Sequence, residues 1–245
     1  MLDRDEIDAL FPPDLPQPAT WEQWYPPRNL PEDAHVTRFC PSPTGFAHIG
    51  GVYVAMIDKA VAEQTGGTYF IRIEDTDQSR EVEGATDQFD RAFGHFGVAS
   101  QETDPAGLYG PYTQSDRGQT YMTYVREFLR EGKAYLCFAT KEELAAAAAE
   151  QRASKLPTGY YGRWAIWRDS PAELVRDRLA AGNPYVVRFR SPGEAAGRVT
   201  FTDVIRGEME AEANRNDVVI LKSSANHLRL PTYHFAHVVD DHLMR

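Results

Sequence analysis

One stretch of the chain combines residue types that could hold a phosphate group. Residues 38–51 read RFCPSPTGFAHIGG and run from the end of a predicted strand into the start of a predicted helix. A helix N-terminus offers free N–H groups and a positive dipole end, and His48 can donate to a phosphate oxygen. Gly50 and Gly51 let a ligand approach the backbone. His-Ile-Gly alone fits an ordinary strand-to-helix turn, whereas the whole string predicts a phosphate-binding loop, although neither the Walker nor the G-x-G-x-x-G pattern is present.

Carboxylates end the second predicted strand. In the string IRIEDTD, alternation places Arg72 and Glu74 on one face of that strand. An acid at the carboxyl end of a parallel strand borders the ligand crevice of an α/β sheet, where it can bind an ammonium group. We assign that role to Glu74, and we expect Asp75 and Asp77 to cap the helix that follows.

A third group of polar residues lies at positions 231–244, which read PTYHFAHVVDDHLM. Its three histidines and two aspartates could suggest a metal site. Residues 232–239 are rich in β-branched and aromatic side chains, which predicts a strand. On a strand His234 and His237 would point to opposite faces, so we expect no shared metal ion.

The spacing of apolar residues predicts an α/β core around these three groups. Residues 35–40 and 68–74 have the alternation of strands, and residues 48–64 have the period of a helix that ends at Gly66. This strand–helix–strand order predicts parallel strands joined by a right-handed crossover. Further helices are predicted over residues 83–96, 115–130 and 142–152, a loop over 104–112, and short strands over 185–190, 199–204, 209–213 and 218–221.

We expect the chain to divide into four segments. Residues 1–34 carry two basic and eight acidic side chains and seven of the sixteen prolines, so they form an acidic, proline-rich extension. Trp21, Trp24 and Tyr25 would let this extension pack against the rest of the chain, and a loosely attached tail is the alternative. The remaining segments are the first half of the α/β domain at 35–112, an inserted α+β domain at 113–215, and a return to the α/β domain at 216–245.

Composition narrows the class of protein. The 245 residues are 42% hydrophobic and 25% charged, which excludes wholesale disorder, collagen and a disulfide-rich miniprotein. A net charge of −10 argues against nonspecific binding to nucleic acid, although a local basic groove could still bind one specific RNA. Cys40 and Cys137 are too few for a disulfide framework, and apolar runs are too short to span a membrane. We therefore expect a soluble, cytoplasmic protein without a membrane partner.

Three strings of the sequence resemble the glutamyl-tRNA synthetase family of class I aminoacyl-tRNA synthetases. They are RFCPSPTGFAHIGG, RIEDTD and PTYHFAHVVDDHLM, and the first is similar to the family's form of the class's "HIGH" signature. The resemblance covers about residues 36–245. It implies an α/β, Rossmann-like catalytic domain, with helices on both faces of a parallel sheet and an inserted α+β acceptor-stem-binding domain. It also implies ATP with Mg²⁺, L-glutamate and the tRNA(Glu) acceptor stem as ligands, and we expect a monomeric enzyme.

The same resemblance implies roles for individual residues. ATP would be bound by Pro43, Thr44, Gly45, His48, Gly50 and Gly51, of which His48, Gly50 and Gly51 would be catalytic. Glutamate would be bound by Arg38, Ser42, Glu74, Tyr233 and His237. In this scheme Arg38 pairs with the side-chain carboxylate of glutamate. Ser42 and Glu74 hold the end that carries the α-carboxylate and the α-ammonium group, and Tyr233 helps to read the side chain.

The chain departs from the family pattern in two places. Many members hold zinc in the inserted domain, but only Cys137 survives of the four ligands. We therefore expect no structural zinc, and instead apolar packing by Phe138, Trp164 and Trp167. The family's K-x-S-K-R loop, second glutamate-contacting arginine and anticodon-binding domain are missing from the 245 residues. We therefore expect a truncated catalytic fragment that is inactive in tRNA charging.

Three other interpretations stay open. A Glu-queuosine-type paralogue that modifies tRNA(Asp) shares these motifs, but it usually carries the zinc knuckle. A small-molecule nucleotidyltransferase of the same superfamily would lack the RIEDTD string and the inserted domain. A non-catalytic binding fragment is the third interpretation.

Overall fold

The computed structural model describes residues 2–104, 107–193, 197–203 and 205–245, which form two compact units. The α/β unit comprises Leu15–Tyr124 and Leu230–Arg245, and the antiparallel unit comprises Met1–Asp14 and Val125–Arg229. A compact unit need not be a functional domain, so the four segments inferred from the sequence stay a prediction. Parts of the predicted loop over 104–112 and strand over 199–204, at residues 105, 106 and 204, lie outside the described residues.

Eight helices and seven strands make up the regular structure of the described residues. The helices are α1 (Arg4–Asp8), α2 (Pro18–Trp24), α3 (Ile49–Thr65), α4 (Ala85–His95), α5 (Gly118–Arg130), α6 (Lys141–Ala153), α7 (Ala172–Ala180) and α8 (Tyr233–Met244). The strands are β1 (Val36–Phe39), β2 (Thr68–Ile71), β3 (Ala134–Cys137), β4 (Val186–Phe189), β5 (Arg198–Asp203), β6 (Gly207–Glu212) and β7 (Val219–Leu221). Within the described ranges, no helix is both long enough and apolar enough to cross a membrane.

The predicted strand–helix–strand unit is confirmed. β1 and β2 pair in parallel, with Val36 opposite Thr68 and Phe39 opposite Ile71, and α3 connects them. The helix ends at Gly66, whose φ of 68° is the left-handed conformation that glycine adopts without strain. The parallel pairing places the carboxyl ends of both strands at the same edge, where the first two candidate strings begin.

Two apolar clusters hold the α/β unit together. One lies beneath α3 and α4, and its buried members are Val52, Ala55, Ala62, Tyr69, Ile73, Phe89, Phe93 and Val98. The other contains buried residues from α2, α5 and α8, including Trp21, Tyr25, Tyr121, Ala236 and Leu243. The Trp21 indole also donates to the Thr123 hydroxyl at 2.9 Å. The second half of the acidic extension therefore packs into the α/β unit through Trp21 and Tyr25 and is not a loosely attached tail there. Trp24, which was also expected to pack, is exposed.

The strand predicted over residues 232–239 is wrong, because this segment forms helix α8. Its β-branched and aromatic residues favoured the strand, but Ala236, Val239 and Leu243 recur at helical spacing and are buried. Thr232 has extended backbone angles and begins the helix. The argument that His234 and His237 lie on opposite faces of a strand therefore falls with it.

The antiparallel unit contains a three-stranded sheet and a separate ribbon. The sheet has the strand order β3-β4-β7, and β5 pairs with β6. All four residues of β3 are buried, and this short strand is absent from the sequence prediction. The predicted alanine-rich helix is confirmed as α6, which begins with a capping box between Thr140 and Glu143.

Candidate active site

The loop between β1 and α3 is fixed by neighbouring segments. The Pro41 carbonyl accepts a hydrogen bond from the Glu74 N–H at 2.9 Å, and the Pro43 carbonyl accepts one from the Val82 N–H at 2.8 Å. The Ala47 N–H donates to the Gln88 side-chain oxygen at 2.7 Å. The two prolines have no backbone N–H to donate, and it is their carbonyls that tie this loop to the chain around it.

A cavity of about 220 Å³, which we call the loop cavity, opens beside this segment. Its walls are Phe39, Pro41, Ser42, Thr44, Gly45, Phe46, Ala47, His48, Gly51, Phe89 and Phe93. The structure thus brings together four of the six residues predicted to bind ATP. Pro43 is buried, and Gly50 is exposed one residue inside α3. Ser42, predicted to bind glutamate, lies in the wall of this same cavity.

His48 caps the N-terminus of α3. Its φ of −127° and ψ of 161° are extended, and its Nδ1 accepts a hydrogen bond from the Gly51 N–H at 3.4 Å. A neutral imidazole that accepts at Nδ1 carries its proton on Nε2, so the outer nitrogen of this exposed ring is a donor. A Cβ atom on Gly51 would lie 3.3 Å from the Phe39 ring, so a larger residue would crowd the helix start.

Four of the five residues predicted to bind glutamate meet at the strand ends. Arg38 Nη2 contacts His237 Nε2, and His237 Nδ1 lies 3.5 Å from the Glu74 carboxylate. The Tyr233 ring centroid lies 5.3 Å from that of His237. Arg38 also donates from Nε to Asp241 at 2.7 Å. We call these five residues (Arg38, Glu74, Tyr233, His237 and Asp241) the Arg38 cluster.

A buried arginine supports this cluster. Arg72 has no exposed surface, and it donates to Glu74 at 2.8 Å and to Asp241 at 2.9 Å. The alternation argument is therefore confirmed to the extent that Arg72 and Glu74 share a side of the chain. The role of Arg72 in holding two carboxylates was not predicted, because no local pattern in the sequence indicates it.

Asp240 anchors α8 on its buried side. Its carboxylate accepts hydrogen bonds from Gln114 at 2.8 Å, Arg117 at 2.7 Å and the Tyr121 hydroxyl at 2.8 Å. We call these four residues the Asp240 cluster. Burial and the negative charge of Asp240 raise the pKa of Tyr121, so this hydroxyl stays a donor. The two adjacent aspartates therefore lie on neighbouring faces of one helix and support different clusters.

Electrostatics shifts the pKa of two groups beside Arg38, Asp241 and Cys40. Burial opposes the ionised form of Asp241, but hydrogen bonds and charge from Arg38 and Arg72 lower the pKa of this carboxyl below its usual range. Burial and the Glu74 carboxylate raise the pKa of Cys40, whose sulfur accepts from Arg38 Nη1 at 2.9 Å. Cys40 is therefore a neutral thiol beside the guanidinium.

Asp75 and Asp77 behave differently from the expected pair of helix caps. Asp75 is buried and accepts from the Ser115 N–H at 2.8 Å, far along the chain from the helix it was expected to cap. Asp77 precedes a short 3₁₀ turn and accepts from the Ser79 and Arg80 side chains, both at 2.6 Å.

The region of the missing zinc ligands contains a polar cluster. Asp217 is buried and accepts from the Tyr135 hydroxyl at 2.7 Å, from the Ser191 N–H at 2.9 Å and from Arg168. We call these four residues the Asp217 cluster. The Cys137 sulfur, buried as predicted, accepts from Arg188 Nε at 3.3 Å.

The expected aromatic packing is present in part. Phe138 packs on Trp167 at 4.9 Å, whereas Trp164 packs on Tyr161 and donates to Glu150. The described residues contain no group of three His, Cys, Asp or Glu side chains placed to hold a metal ion. The absence of zinc stays a prediction.

Parallel strands with a capped helix start and a charged cluster at their carboxyl ends define an α/β domain of the kind in which ligands generally bind at that edge. The comparison with protein families is more specific. The chain belongs to the family described as tRNA synthetases class I (E and Q), catalytic domain, which matches residues 35–245. The predicted fold class, that of a class I synthetase catalytic domain, is thereby confirmed.

Individual relatives are named glutamate–tRNA ligases. The chain is 46% identical over 244 residues to glutamate–tRNA ligase of Clostridium perfringens, covering 97% of this chain and 44% of the relative. It is 42% identical over 246 residues to glutamate–tRNA ligase of Sorangium cellulosum, covering 94% and 42%. A crystal structure of a glutamate tRNA ligase from Elizabethkingia meningosepticum in complex with its amino acid matches with a TM-score of 0.75 at 37% identity, covering 87% and 42%. The chain therefore spans less than half the length of these relatives.

Proposed function

We propose that the protein carrying this chain activates L-glutamate with ATP and transfers the glutamyl group to the 3′ end of tRNA(Glu). The observation that carries the proposal is the meeting of Arg38, Glu74, Tyr233 and His237 at strand ends that also lead into the loop cavity. The naming of similar proteins as glutamate–tRNA ligases supports it.

The amino-acid side of the site follows from charge. A guanidinium has a planar fork that matches a carboxylate, so Arg38 would bind the side-chain carboxylate of glutamate. Arg72 and His237 both approach Glu74 at Oε1, so Oε2 is the oxygen that we assign to the α-ammonium group. A neutral amide offers the guanidinium no such charge pairing, so glutamine would bind less well. Tyr233 and Ser42 would complete this half of the pocket.

The nucleotide side of the site uses the loop cavity. His48 would donate from Nε2 to a phosphate oxygen, beside N–H groups at the start of α3. Pro43, Thr44 and Gly45 would shape the loop around ATP, and Gly50 and Gly51 would keep the backbone accessible. In the first step an α-carboxylate oxygen bonds to the α-phosphorus and pyrophosphate leaves. Positioning and charge stabilisation are what the protein supplies to such a step.

Magnesium would enter the site with the nucleotide. Mg²⁺ in nucleotide sites is held mainly by phosphate oxygens and water, with one or two carboxylates from the protein. The absence of a three-residue metal group among the described residues fits this arrangement better than a dedicated protein cage.

We further propose that residues 113–215 contact the tRNA acceptor stem and that the protein acts as a monomer.

The test uses the full-length gene product in ATP–pyrophosphate exchange, followed by aminoacylation of tRNA(Glu), tRNA(Gln) and tRNA(Asp) transcripts. We expect exchange that requires glutamate and charging of tRNA(Glu). Glutamylation of tRNA(Asp) alone would identify the tRNA-modifying paralogue instead. Exchange that is indifferent to glutamate would contradict the proposal and favour a small-molecule nucleotidyltransferase.

A further inference from the structure

The Arg38 guanidinium is held from one side by a carboxylate of its own chain. Asp241 accepts from Nε at 2.7 Å and from Nη2 at 3.0 Å, which is a side-on, bidentate pair. The same carboxylate accepts from Arg72 Nη1 at 2.9 Å. Asp241 therefore bridges two arginines, and it fixes the plane in which the Arg38 fork lies.

The remaining edge of Arg38 faces a thiol sulfur and an imidazole ring, neither of which is a carboxylate. Nη1 donates to the Cys40 sulfur at 2.9 Å, and Nη2 contacts the His237 ring. A thiol sulfur is a poor hydrogen-bond acceptor compared with a carboxylate. An incoming carboxylate can therefore take the two terminal nitrogens of Arg38 without displacing Asp241.

The backbone that carries Asp241 is not free to move away. Asp240, the preceding residue, is buried and bonded to Gln114, Arg117 and Tyr121. A shift of α8 that withdrew Asp241 would break these buried bonds. This favours a fixed support for Arg38 over a temporary occupant that leaves when ligand binds.

We propose that Asp241 is a positioning residue, which holds Arg38 side-on so that its terminal nitrogens bind the side-chain carboxylate of an amino-acid substrate end-on. This inference rests on the proposed function. A temporary occupant would have the opposite signature, because removing a competitor tightens binding whereas removing a support weakens it.

The experiment compares Asp241→Asn with the unmodified full-length gene product in ATP–pyrophosphate exchange. Loss of the charged partner should raise the KM for glutamate by about tenfold or more and leave the KM for ATP within about twofold. The preference for glutamate over glutamine should also fall. The half-exposed position of the Asp241 side chain favours folding of this variant.

A matched control is available in the antiparallel unit. Asp8 makes the same bidentate contact with Arg130, at 2.8 and 2.6 Å, and its side chain is 38% exposed against 42% for Asp241. Asp8→Asn should leave both KM values unchanged. If Asp241→Asn does not fold, Asp241→Glu carries the test, because it keeps the charge and displaces the fork, with an expected rise in the KM for glutamate alone.

Several results would overturn the inference. A lowered KM for glutamate in Asp241→Asn would make Asp241 a competitor, and an unchanged KM would give it no role. Equal rises in the KM for glutamate and ATP, or the same rise in Asp8→Asn, would indicate a general structural effect. Absence of glutamate-dependent exchange in the unmodified protein would instead overturn the proposed function, and this inference with it.

Discussion

Each of the two compact units contains a buried aspartate that accepts from a tyrosine hydroxyl and an arginine. Asp240 is paired with Arg117, which has no exposed side-chain surface, whereas the Arg168 partner of Asp217 is 26% exposed. The two clusters contain the same kinds of groups. Because their arginines differ in exposure, disrupting them should lower the free energy of unfolding by different amounts. The Asp240 cluster also continues, through the next residue, into the Arg38 cluster. One aspartate therefore supports a candidate site, and the other supports a sheet.

The largest effect is expected for Asp240→Ala. This change leaves Arg117 buried without its carboxylate, and breaking a buried ion pair in this way costs roughly 3–5 kcal/mol. Urea denaturation monitored by tryptophan fluorescence would measure the loss in the free energy of unfolding. A loss below about 1 kcal/mol would mean that the pair contributes like a surface salt bridge.

Arg38→Ala should weaken glutamate binding while changing the free energy of unfolding little. Removing one partner of a partly buried charge pair costs about 2–5 kcal/mol in binding, so the KM for glutamate should rise far more than the KM for ATP. Because the Asp240 cluster is untouched, the free energy of unfolding should change much less than in Asp240→Ala. Steady-state exchange kinetics of the full-length gene product would measure both constants. Unchanged constants for glutamate would remove Arg38 from the proposed site.

Asp217→Ala should destabilise the protein less than Asp240→Ala. Arg168 can turn to water after the change, so the main cost is the unsatisfied Tyr135 hydroxyl and Ser191 N–H, about 1–3 kcal/mol. The same urea experiment measures it. A loss equal to that of Asp240→Ala would show that exposure of the arginine does not distinguish the two clusters.

High pH should weaken both clusters. Burial and the neighbouring aspartates raise the pKa of Tyr121 and Tyr135, while an unfolded tyrosine ionises near pH 10. The unfolded state therefore loses protons first, and the stability that is complete below about pH 10 declines above it, by about 1 kcal/mol per tyrosine near pH 11. Urea titrations at pH 8 and pH 11 would measure the decline. Tyr121→Phe and Tyr135→Phe should each reduce it, and an undiminished decline in both would assign it to other groups.

Metal removal should have the smallest effect. The Asp217 cluster and the packing of Phe138 on Trp167 lie in the same unit as Cys137, the one expected zinc ligand that the sequence retains, so chelation should change the Tm by no more than about 1 °C. Elemental analysis of protein purified without chelator should find no stoichiometric zinc. Stoichiometric zinc, or a large drop in Tm on chelation, would contradict this account.

Local signals explain what could be predicted from the sequence. Alternation in β1 and β2, the helical period of α3 and the glycine after it agree with one another, and this unit folds as expected. The candidate loop follows from it, because a ligand edge is a consequence of parallel strands. Arg38 and Glu74 meet for the same reason. Tyr233 and His237 were candidates through the resemblance to a family, and the segment that carries them, predicted as a strand, is helix α8.

Contacts between distant parts of the chain explain what could not be predicted. The bonds from Asp240 to Gln114 and Arg117 cross more than a hundred residues, and no local spacing indicates them. Short β3 has no alternating pattern, since all four of its residues are buried. In α8, strand propensity outweighed the spacing of Ala236, Val239 and Leu243, although that spacing was readable.

The register of α8 has a consequence for how the site tolerates change. Tyr233, His237 and Asp241 recur every four residues and form one stripe, while Ala236 and Asp240 belong to the buried stripe beside it. A helix turns by about 100° per residue, so deleting a single residue within α8 would rotate the following part of both stripes together. A substitution in α8 alters the contacts of one side chain, whereas an insertion or deletion shifts every later side chain of the helix away from its partners. Variation in helix length at this position therefore carries a penalty that loop variation elsewhere does not.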